Sequence, residues 1–470
     1  MSKSRSAKSP TALGSILFLT LLCASFVFPQ SGSAPQTTEK QGRVPVIIIP
    51  GLIGSELVNK NTGDKVWFDL GRAKDDDLRL PISPRISENH DSLIPGDILR
   101  EVQLIRFTPK IDIYQKLLTS IEKDGYREGK IDDPPDNGAS DTFYVFAYDW
   151  RLDNVENARN LLKKLDFVRA RLKAPKLKFD IVAHSMGGLI TRYALMFGAA
   201  ELTEKTPKPA WKGAEYFNNI MLVGTPNGGS LPALESLQNG FTLFGSGKIN
   251  LPFVRNLSKF DLFTIPSIYQ LLPHEGTLRA FDENLKPLNI DIYDVETWRK
   301  YGWLAYEDGD FERHFSGAER ASSEAYFAAV LGRAKQFQAA LNAKPSTKNP
   351  VPIYYLGSEC NPTVDGMIIY KDLKENRWKT KFEAESFVKS DGTKVSKEDV
   401  QKLIFSPGDG VVSKRSLVSS LINFGKFSNP RSGLVNDLKI VCGEHNKLTG
   451  EEAIDRSLLS LLNLSAKKAK

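Results

Sequence analysis

Ile181-Val182-Ala183-His184-Ser185-Met186-Gly187-Gly188 is the stretch that decides the fold. A buried apolar run from Lys178 to Ala183 leads into a serine, and helix-forming sequence follows from Met186 to about Gly198. Strand, sharp turn and helix succeed one another with no residue to spare. Serine alone is a poor nucleophile. A turn this tight lifts its oxygen above the sheet and aims the following helix N-terminus at charge developing there, provided that the flanking residues are small. Ala183 and Gly187 meet that need, Ala183 standing where such turns usually carry a first glycine. The competing reading, a serine that only caps its helix, leaves the small flanks and the glycine pair unexplained. His184 is expected to point away from its neighbour and to line the pocket or pack.

The pattern outward from this turn is regular. Val44-Pro45-Val46-Ile47-Ile48-Ile49 is the continuous apolar run of a strand buried on both faces, and Pro50-Gly51 stops it. Phe143 to Ala147 reads as a second such strand. Between them, Ile111 to Lys123 carries Ile113, Leu117, Leu118 and Ile121 at helical spacing. After Tyr148-Asp149-Trp150-Arg151, Leu161, Leu165, Val168 and Leu172 share one helix face. Strands follow at Asn219 to Val223, Pro352 to Leu356 and Leu438 to Val441, with a helix at about Glu451 to Leu462. This alternation predicts an α/β-hydrolase fold, a mostly parallel central sheet with helices on both faces. It fails over residues 231–348, which are rich in Phe, Tyr and Trp and read as an inserted cap. Ile368 to Val388 reads as an excursion of short strands. The catalytic domain is expected over residues 44–465, with a polar linker at 35–43 and a basic tail at 466–470.

With 41% hydrophobic and 25% charged residues, the 470-residue chain has the composition of an ordinary globular protein. Lys3, Arg5 and Lys8 precede an apolar run from Leu13 to Phe28, and no acid occurs before Glu39. Residues 1–34 therefore read as a signal peptide or an uncleaved N-terminal anchor, and the protein as exported, whether secreted, periplasmic or membrane-tethered. Cys23, preceded by Leu22, fits a lipoprotein acylation site poorly. Removing the three leading cations takes the net charge from +7 to +4, which leaves no basic field for nucleic acid. Cys360 and Cys442 are too few for a disulfide scaffold, yet each follows a strand, and the two can bridge if those strands are neighbours in an oxidising compartment. No CxxC pair or histidine cluster points to a metal, and no cofactor is expected.

An activated serine needs a histidine to take its proton and a carboxylate to orient that histidine, in the chain order Ser, acid, His for this fold. Of five histidines, His90 precedes Ser185, His274 and His314 fall in the inserted segment, and His445 follows the last strand. His445 is the expected base. Asp409 lies between two glycines in Ser406-Pro407-Gly408-Asp409-Gly410-Val411-Val412, where a bend can turn it inward. Glu359, after the strand ending at Leu356, is its rival, and the pattern alone leaves both open. An oxyanion hole needs two backbone N–H groups. Met186 supplies one, and Leu52 in Pro50-Gly51-Leu52-Ile53-Gly54-Ser55 is expected to supply the other.

Taken together, these landmarks resemble the lecithin:cholesterol acyltransferase and lysosomal phospholipase A family over about residues 44–465. They run in order from Ile49-Pro50-Gly51-Leu52-Ile53-Gly54-Ser55 through Tyr148-Asp149-Trp150-Arg151, Ala183-His184-Ser185-Met186-Gly187, Gly224-Thr225-Pro226-Asn227-Gly228-Gly229 and Pro266-Ser267 to Gly408-Asp409-Gly410-Val411-Val412 and His445-Asn446. The resemblance implies a triad of Ser185, Asp409 and His445, choosing Asp409 over Glu359, with Leu52 and Met186 at the oxyanion positions. It implies acyl transfer from a glycerophospholipid to water or an alcohol, hence a lipid ester substrate met at a membrane or lipid surface. Tyr148 to Arg151 is expected to be structural. The loop after Ser55 lacks the cysteine pair that closes the lid in animal members, so Trp67 and Phe68 stand as an apolar lid or as core. The alternative function is a catalytically silent hydrolase-fold protein that holds a lipid or a partner.

Overall fold

A computed structural model describes residues 42–68, 78–103, 110–203, 208–241, 257–421 and 437–468. The signal or anchor, most of the linker and the last two residues of the tail lie outside them.

Seven strands form the central sheet: β1 (Val46–Ile49), β2 (Arg127–Gly129), β3 (Thr142–Val145), β4 (Phe179–His184), β5 (Phe217–Val223), β6 (Ile353–Ser358) and β7 (Leu438–Val441). Their order is β7-β6-β5-β4-β1-β3-β2, and every neighbouring pair is parallel. Parallel neighbours require crossovers, and helices supply them: α1 (Gln115–Lys123), α2 (Asn154–Arg171) and α3 (Met186–Phe197), with α4 (Leu231–Asn239), α5 (Gly317–Asn342) and α6 (Glu452–Lys468) further on.

The apolar run in β1 follows from two covered faces. Val46 and Ile48 pack with Leu117, Leu118 and Ile121 of α1 and with Leu458 and Leu462 of α6. Ile47 and Ile49 point the other way, into the core that holds Leu161 and Leu165 of α2 and Leu189 of α3. Each buried isoleucine stabilises the sheet by about 1.5–3 kcal/mol, so strict alternation is not needed here.

Some boundaries differ from expectation. The first helix begins at Gln115 because Ile111–Asp112 is drawn into an antiparallel pair with Glu101–Val102. Arg43, in the expected linker, is gripped by Asp124 at 2.7 Å and Asp141 at 2.9 Å and stacks on Tyr126. The last helix continues to Lys468, into the expected tail.

Residues 231–348 spend their aromatic side chains on packing that continues the core of the body. The Phe263 ring lies 5.5 Å from Phe311, 5.8 Å from Phe315 and 5.4 Å from Tyr326. The C-terminal half of α5 returns to the body, where Phe337 stacks on Tyr193 of α3 and Leu341 O accepts from Arg192. The second excursion joins the first: Met367–Asp372 pairs antiparallel with Arg377–Lys381 and parallel with Ala280–Phe281. Trp67 belongs to the core, not to a lid. It is buried against Trp150 at 5.4 Å and donates to Ile53 O at 2.9 Å, while Phe68 is half-buried beside it. Among the described residues no helix is long and apolar enough to cross a membrane.

Cys360 and Cys442 follow the neighbouring strands β6 and β7 and form a disulfide, with Cα atoms 5.1 Å apart. A bridge across 82 residues restricts the unfolded chain and contributes about 4 kcal/mol of stability by loop entropy. Cys442→Ser is expected to lower Tm in thermal unfolding, and denatured wild-type protein should gain two titratable thiols on reduction. Equal thiol counts before and after reduction would remove the bridge.

Candidate active site

β4 ends at His184 and α3 begins at Met186, so the whole reversal falls on Ser185, whose φ of 52° and ψ of −125° lie in the region that side chains rarely adopt. Such a residue costs about 1–3 kcal/mol and persists only where its surroundings hold it. They do so closely here. Ser185 N–H donates to Val223 O at 2.8 Å, and a Cβ on Gly187 would lie 2.5 Å from Pro50 O. The glycine there allows the start of α3 to press against the Pro50–Gly54 loop.

The structure brings Ser185, Asp409 and His445 together. His445 Nε2 is 2.9 Å from Ser185 Oγ, and His445 Nδ1 is 2.8 Å from Asp409 Oδ2. Asp409 Oδ1 accepts from the Val411 and Val412 amides at 3.0 and 2.7 Å. Burial pushes the Asp409 pKa up, but His445 and these two amides outweigh it and hold the carboxyl below its ordinary value. An ionised carboxylate only accepts, so Nδ1 carries the imidazole proton and Nε2 is free to receive one from the serine. The arrangement can deprotonate Ser185 as it attacks an electrophile. Glu359 is not at His445: its half-exposed carboxylate pairs with Lys414. His90 pairs with Glu156, and His314 stacks on Phe260.

The sequence profile of the lecithin:cholesterol acyltransferase family matches residues 102–421, more than half of the chain. The chain belongs to that family. The matched span includes Ser185 and Asp409 and stops short of His445. The uncharacterized Saccharomyces cerevisiae protein YJR098C is 23% identical over 262 residues, 55% of this chain and 33% of that protein. The chain thus spans about a third of the length of this relative. The crystal structure of a Tle4–Tli4 complex aligns with a TM-score of 0.53 at 15% identity, covering 91% of this chain and 99% of that one, and shows a shared fold. Lipase 1 from Pelosinus fermentans, at 14% identity and the same coverage of both chains, has a TM-score of 0.31, too low to add to that assignment.

Within this acyltransferase-family framework, the motifs at the ends of strands become contacts. Tyr148 Oη donates to Pro50 O at 3.0 Å, Tyr148 N–H to Ser55 Oγ at 3.1 Å and Trp150 Nε1–H to Ser55 O at 3.3 Å. Arg151 is buried between Asp91 at 2.6 Å and Asp149 at 2.8 Å. These bonds hold the Pro50–Gly54 loop against the nucleophile, where a Cβ on Gly51 would stand 2.8 Å from Ser185 Cβ. Leu52 follows in that loop. Met186, as the first residue of α3, has an N–H without an intrahelical acceptor.

The turn at Thr225–Gly229 supports the Asp409 loop: Asn227 Nδ2 donates to Leu417 O at 2.6 Å and Gly228 N–H to Ser416 Oγ at 3.1 Å. Asp365, absent from the sequence reading, braces the same loop by accepting from Ser406 and Ser413, each at 2.8 Å, and from Arg415 at 3.0 Å. No local spacing marks Asp365, because its partners are 41 to 86 positions away. Among the described residues no cluster of His, Cys, Asp and Glu could hold a metal ion.

His184 is the other residue whose surroundings the sequence did not reveal. Its ring is buried 4.9 Å from that of His445. Burial, aided by the neighbouring His445, pushes its pKa down to about 3, whereas the unfolded chain titrates near the ordinary 6.5. The stability this site contributes is therefore fully present above about pH 6.5 and is lost as pH falls towards about 3, by at most about 1.4 kcal/mol per unit. Denaturant unfolding at pH 7, 5 and 4 should show a steeper loss in wild type than in His184→Gln. Parallel losses in the two proteins would exclude this titration.

Proposed function

We propose that the protein is a serine-dependent lipid acyl hydrolase or O-acyltransferase. The observation that carries this reading is the unbroken hydrogen-bond path from Asp409 through His445 to Ser185, 2.8 and 2.9 Å long in its two links, on a strand-to-helix turn in a chain of this family. Ser185 Oγ attacks the carbonyl carbon of a phospholipid or other lipid ester while His445 Nε2 takes its proton. Asp409 stabilises the resulting imidazolium without being protonated itself. The tetrahedral oxyanion is held by the Leu52 and Met186 amides, each donor contributing about 2.7–4 kcal/mol to the transition state. Leu52 suits this part better than Gly51, because the Gly51 N–H is already engaged by Tyr114 at 2.8 Å. Collapse of the intermediate breaks the ester C–O bond, and His445 returns the proton to the departing alcohol. Water or a second alcohol then reaches the acyl-enzyme by the same steps in reverse.

In this reading residues 231–348 form the cap beside the site, and the mature chain acts after export. The disulfide supports an oxidising compartment. A lipid surface is the proposed place of action. Supporting it, Leu373 and Trp378 are 60% and 38% exposed on the hairpin of Met367–Asp372 and Arg377–Lys381. Between positions 371 and 381 they stand among Lys371, Lys374, Arg377, Lys379 and Lys381, against Asp372 and Glu375. An indole in a net cationic setting suits the headgroup region of an anionic bilayer.

Ser185→Ala should abolish both turnover of phospholipid esters and labelling by a fluorophosphonate probe, with an unchanged circular dichroism spectrum. Asp409→Asn should lower kcat by about 10⁴-fold. A folded wild-type protein that neither reacts with the probe nor cleaves phospholipids would favour the silent, ligand-holding alternative. Product analysis with and without added alcohol separates hydrolysis from transfer. For the surface, the double variant Leu373→Asp/Trp378→Ala should sediment less with phosphatidylglycerol vesicles while hydrolysing a soluble short-chain ester at the wild-type rate. Unchanged sedimentation would remove the hairpin from membrane contact.

A further inference from the structure

We infer that Tyr114 and His184 are positioning residues, which hold the oxyanion loop and the base against the nucleophile through a single buried chain of hydrogen bonds. The inference rests on the acyl-transfer reading of Ser185. Gly51 N–H donates to Tyr114 Oη at 2.8 Å, Tyr114 O–H meets His184 Nδ1 at 2.7 Å, and His184 Nε2 meets the His445 carbonyl at 3.2 Å. Both side chains are buried, Tyr114 at 3% exposure and His184 at 6%.

The two ends fix the direction of every bond. A backbone N–H can only donate, so Tyr114 Oη accepts from Gly51 and donates its own O–H to Nδ1 of the neutral His184. His184 then carries its own proton on Nε2, the sole position from which it can reach the His445 carbonyl, which can only accept. Of the two neutral tautomers of His184, the Nε2–H form is the one that satisfies all three contacts. A proton added at Nδ1 would face a tyrosine oxygen already accepting from Gly51 and displace the tyrosine hydrogen. The titratable groups that face His184 are Tyr114, His445 and Asp409.

Every member of the chain except Tyr114 adjoins or belongs to a reacting part. Gly51 precedes Leu52, whose N–H is the proposed oxyanion donor. His184 precedes Ser185. The third contact is on the backbone of the base itself. One set of bonds thus ties together four chain segments, which are 63, 70 and 261 positions apart at its successive links. Misplacing a catalytic group by about 1 Å costs up to about 10²-fold in rate, so loss of the chain should fall on kcat.

Three variants test this on a soluble p-nitrophenyl ester, with active sites counted by fluorophosphonate titration. Tyr114→Phe removes a single oxygen and breaks the Gly51 and His184 contacts together. Its kcat per labelled serine should fall by about ten-fold to a hundred-fold with little change in KM. His184→Asn keeps an acceptor near Nδ1 for Tyr114 but loses the contact with His445, and should shift the acid limb of the kcat/KM pH profile. His184→Gln places its amide donor near Nε2, keeps that contact and should leave the limb in place. A purely structural role would lower Tm while leaving kcat per labelled serine and the pH profile at wild-type values, and that outcome overturns the inference. If His184→Asn does not fold, Tyr114→Phe decides alone. Wild-type protein that the probe fails to label would defeat the acyl-transfer reading itself, a result distinct from active wild type with indifferent variants.

Discussion

Burying a carboxylate costs several kcal/mol unless its oxygens are filled, and the site depends on how fully those of Asp409 are filled. One oxygen takes the amides of Val411 and Val412, and the other faces His445 Nδ1. The bend that Gly408 and Gly410 permit lets consecutive amides fold back onto the side chain they follow. His445 N–H adds a bond to the Asp409 carbonyl at 2.9 Å. Acid and histidine are therefore joined by backbone as well as by side chain, and the imidazole has one orientation left to it, with Nε2 towards Ser185.

The rest of the architecture keeps that arrangement in place. A fully parallel sheet ends β4, β5, β6 and β7 on one side, so the loops that leave them converge. β4 delivers Ser185, β5 delivers the Thr225–Gly229 turn, and β7 delivers His445. The long excursion after β6 brings Asp409 back to the same edge, with Asp365 and Asn227 bracing its return. The disulfide closes the β6 and β7 ends beside it. The insertion between β5 and β6 packs through its aromatic residues and through Tyr193 and Arg192 of α3, as a continuation of the body's apolar core.

Family membership and geometry meet at different residues. The matched span holds Ser185, Asp409 and the Tyr148–Arg151 tie, whereas His445, the early loop with Leu52 and the Gly51 end of the Tyr114–His184 chain fall outside it. Spatial convergence links the two groups, and the buried contacts of Tyr148 with Pro50 and of His184 with His445 are the physical joints.

Much of this was legible along the chain because it rests on local rules. A one-residue reversal needs small neighbours, so Ser185 could be read from Ala183 and Gly187. A strand covered on both faces needs a continuous apolar run, so β1, β4 and β5 could be read directly. The order of nucleophile, acid and histidine left His445 as the remaining base. Other features depend on which distant segments meet, and no spacing encodes that. Pattern favoured Asp409 but left Glu359 as its rival, and folding gave Glu359 to Lys414 at the surface. Trp67 could be lid or core until Trp150 packed against it. The aromatic residues of 231–348 read as an inserted cap, and only the tertiary structure showed that they pack into the core. Tyr114 and His184 carried no mark of their connection. The sequence by itself determined the strand-turn-helix and its small flanks, because those are matters of sterics between adjacent residues. Only the tertiary structure decided which buried donors and acceptors find one another, because a hydrogen bond inside the protein is satisfied across space, between residues that the chain keeps far apart.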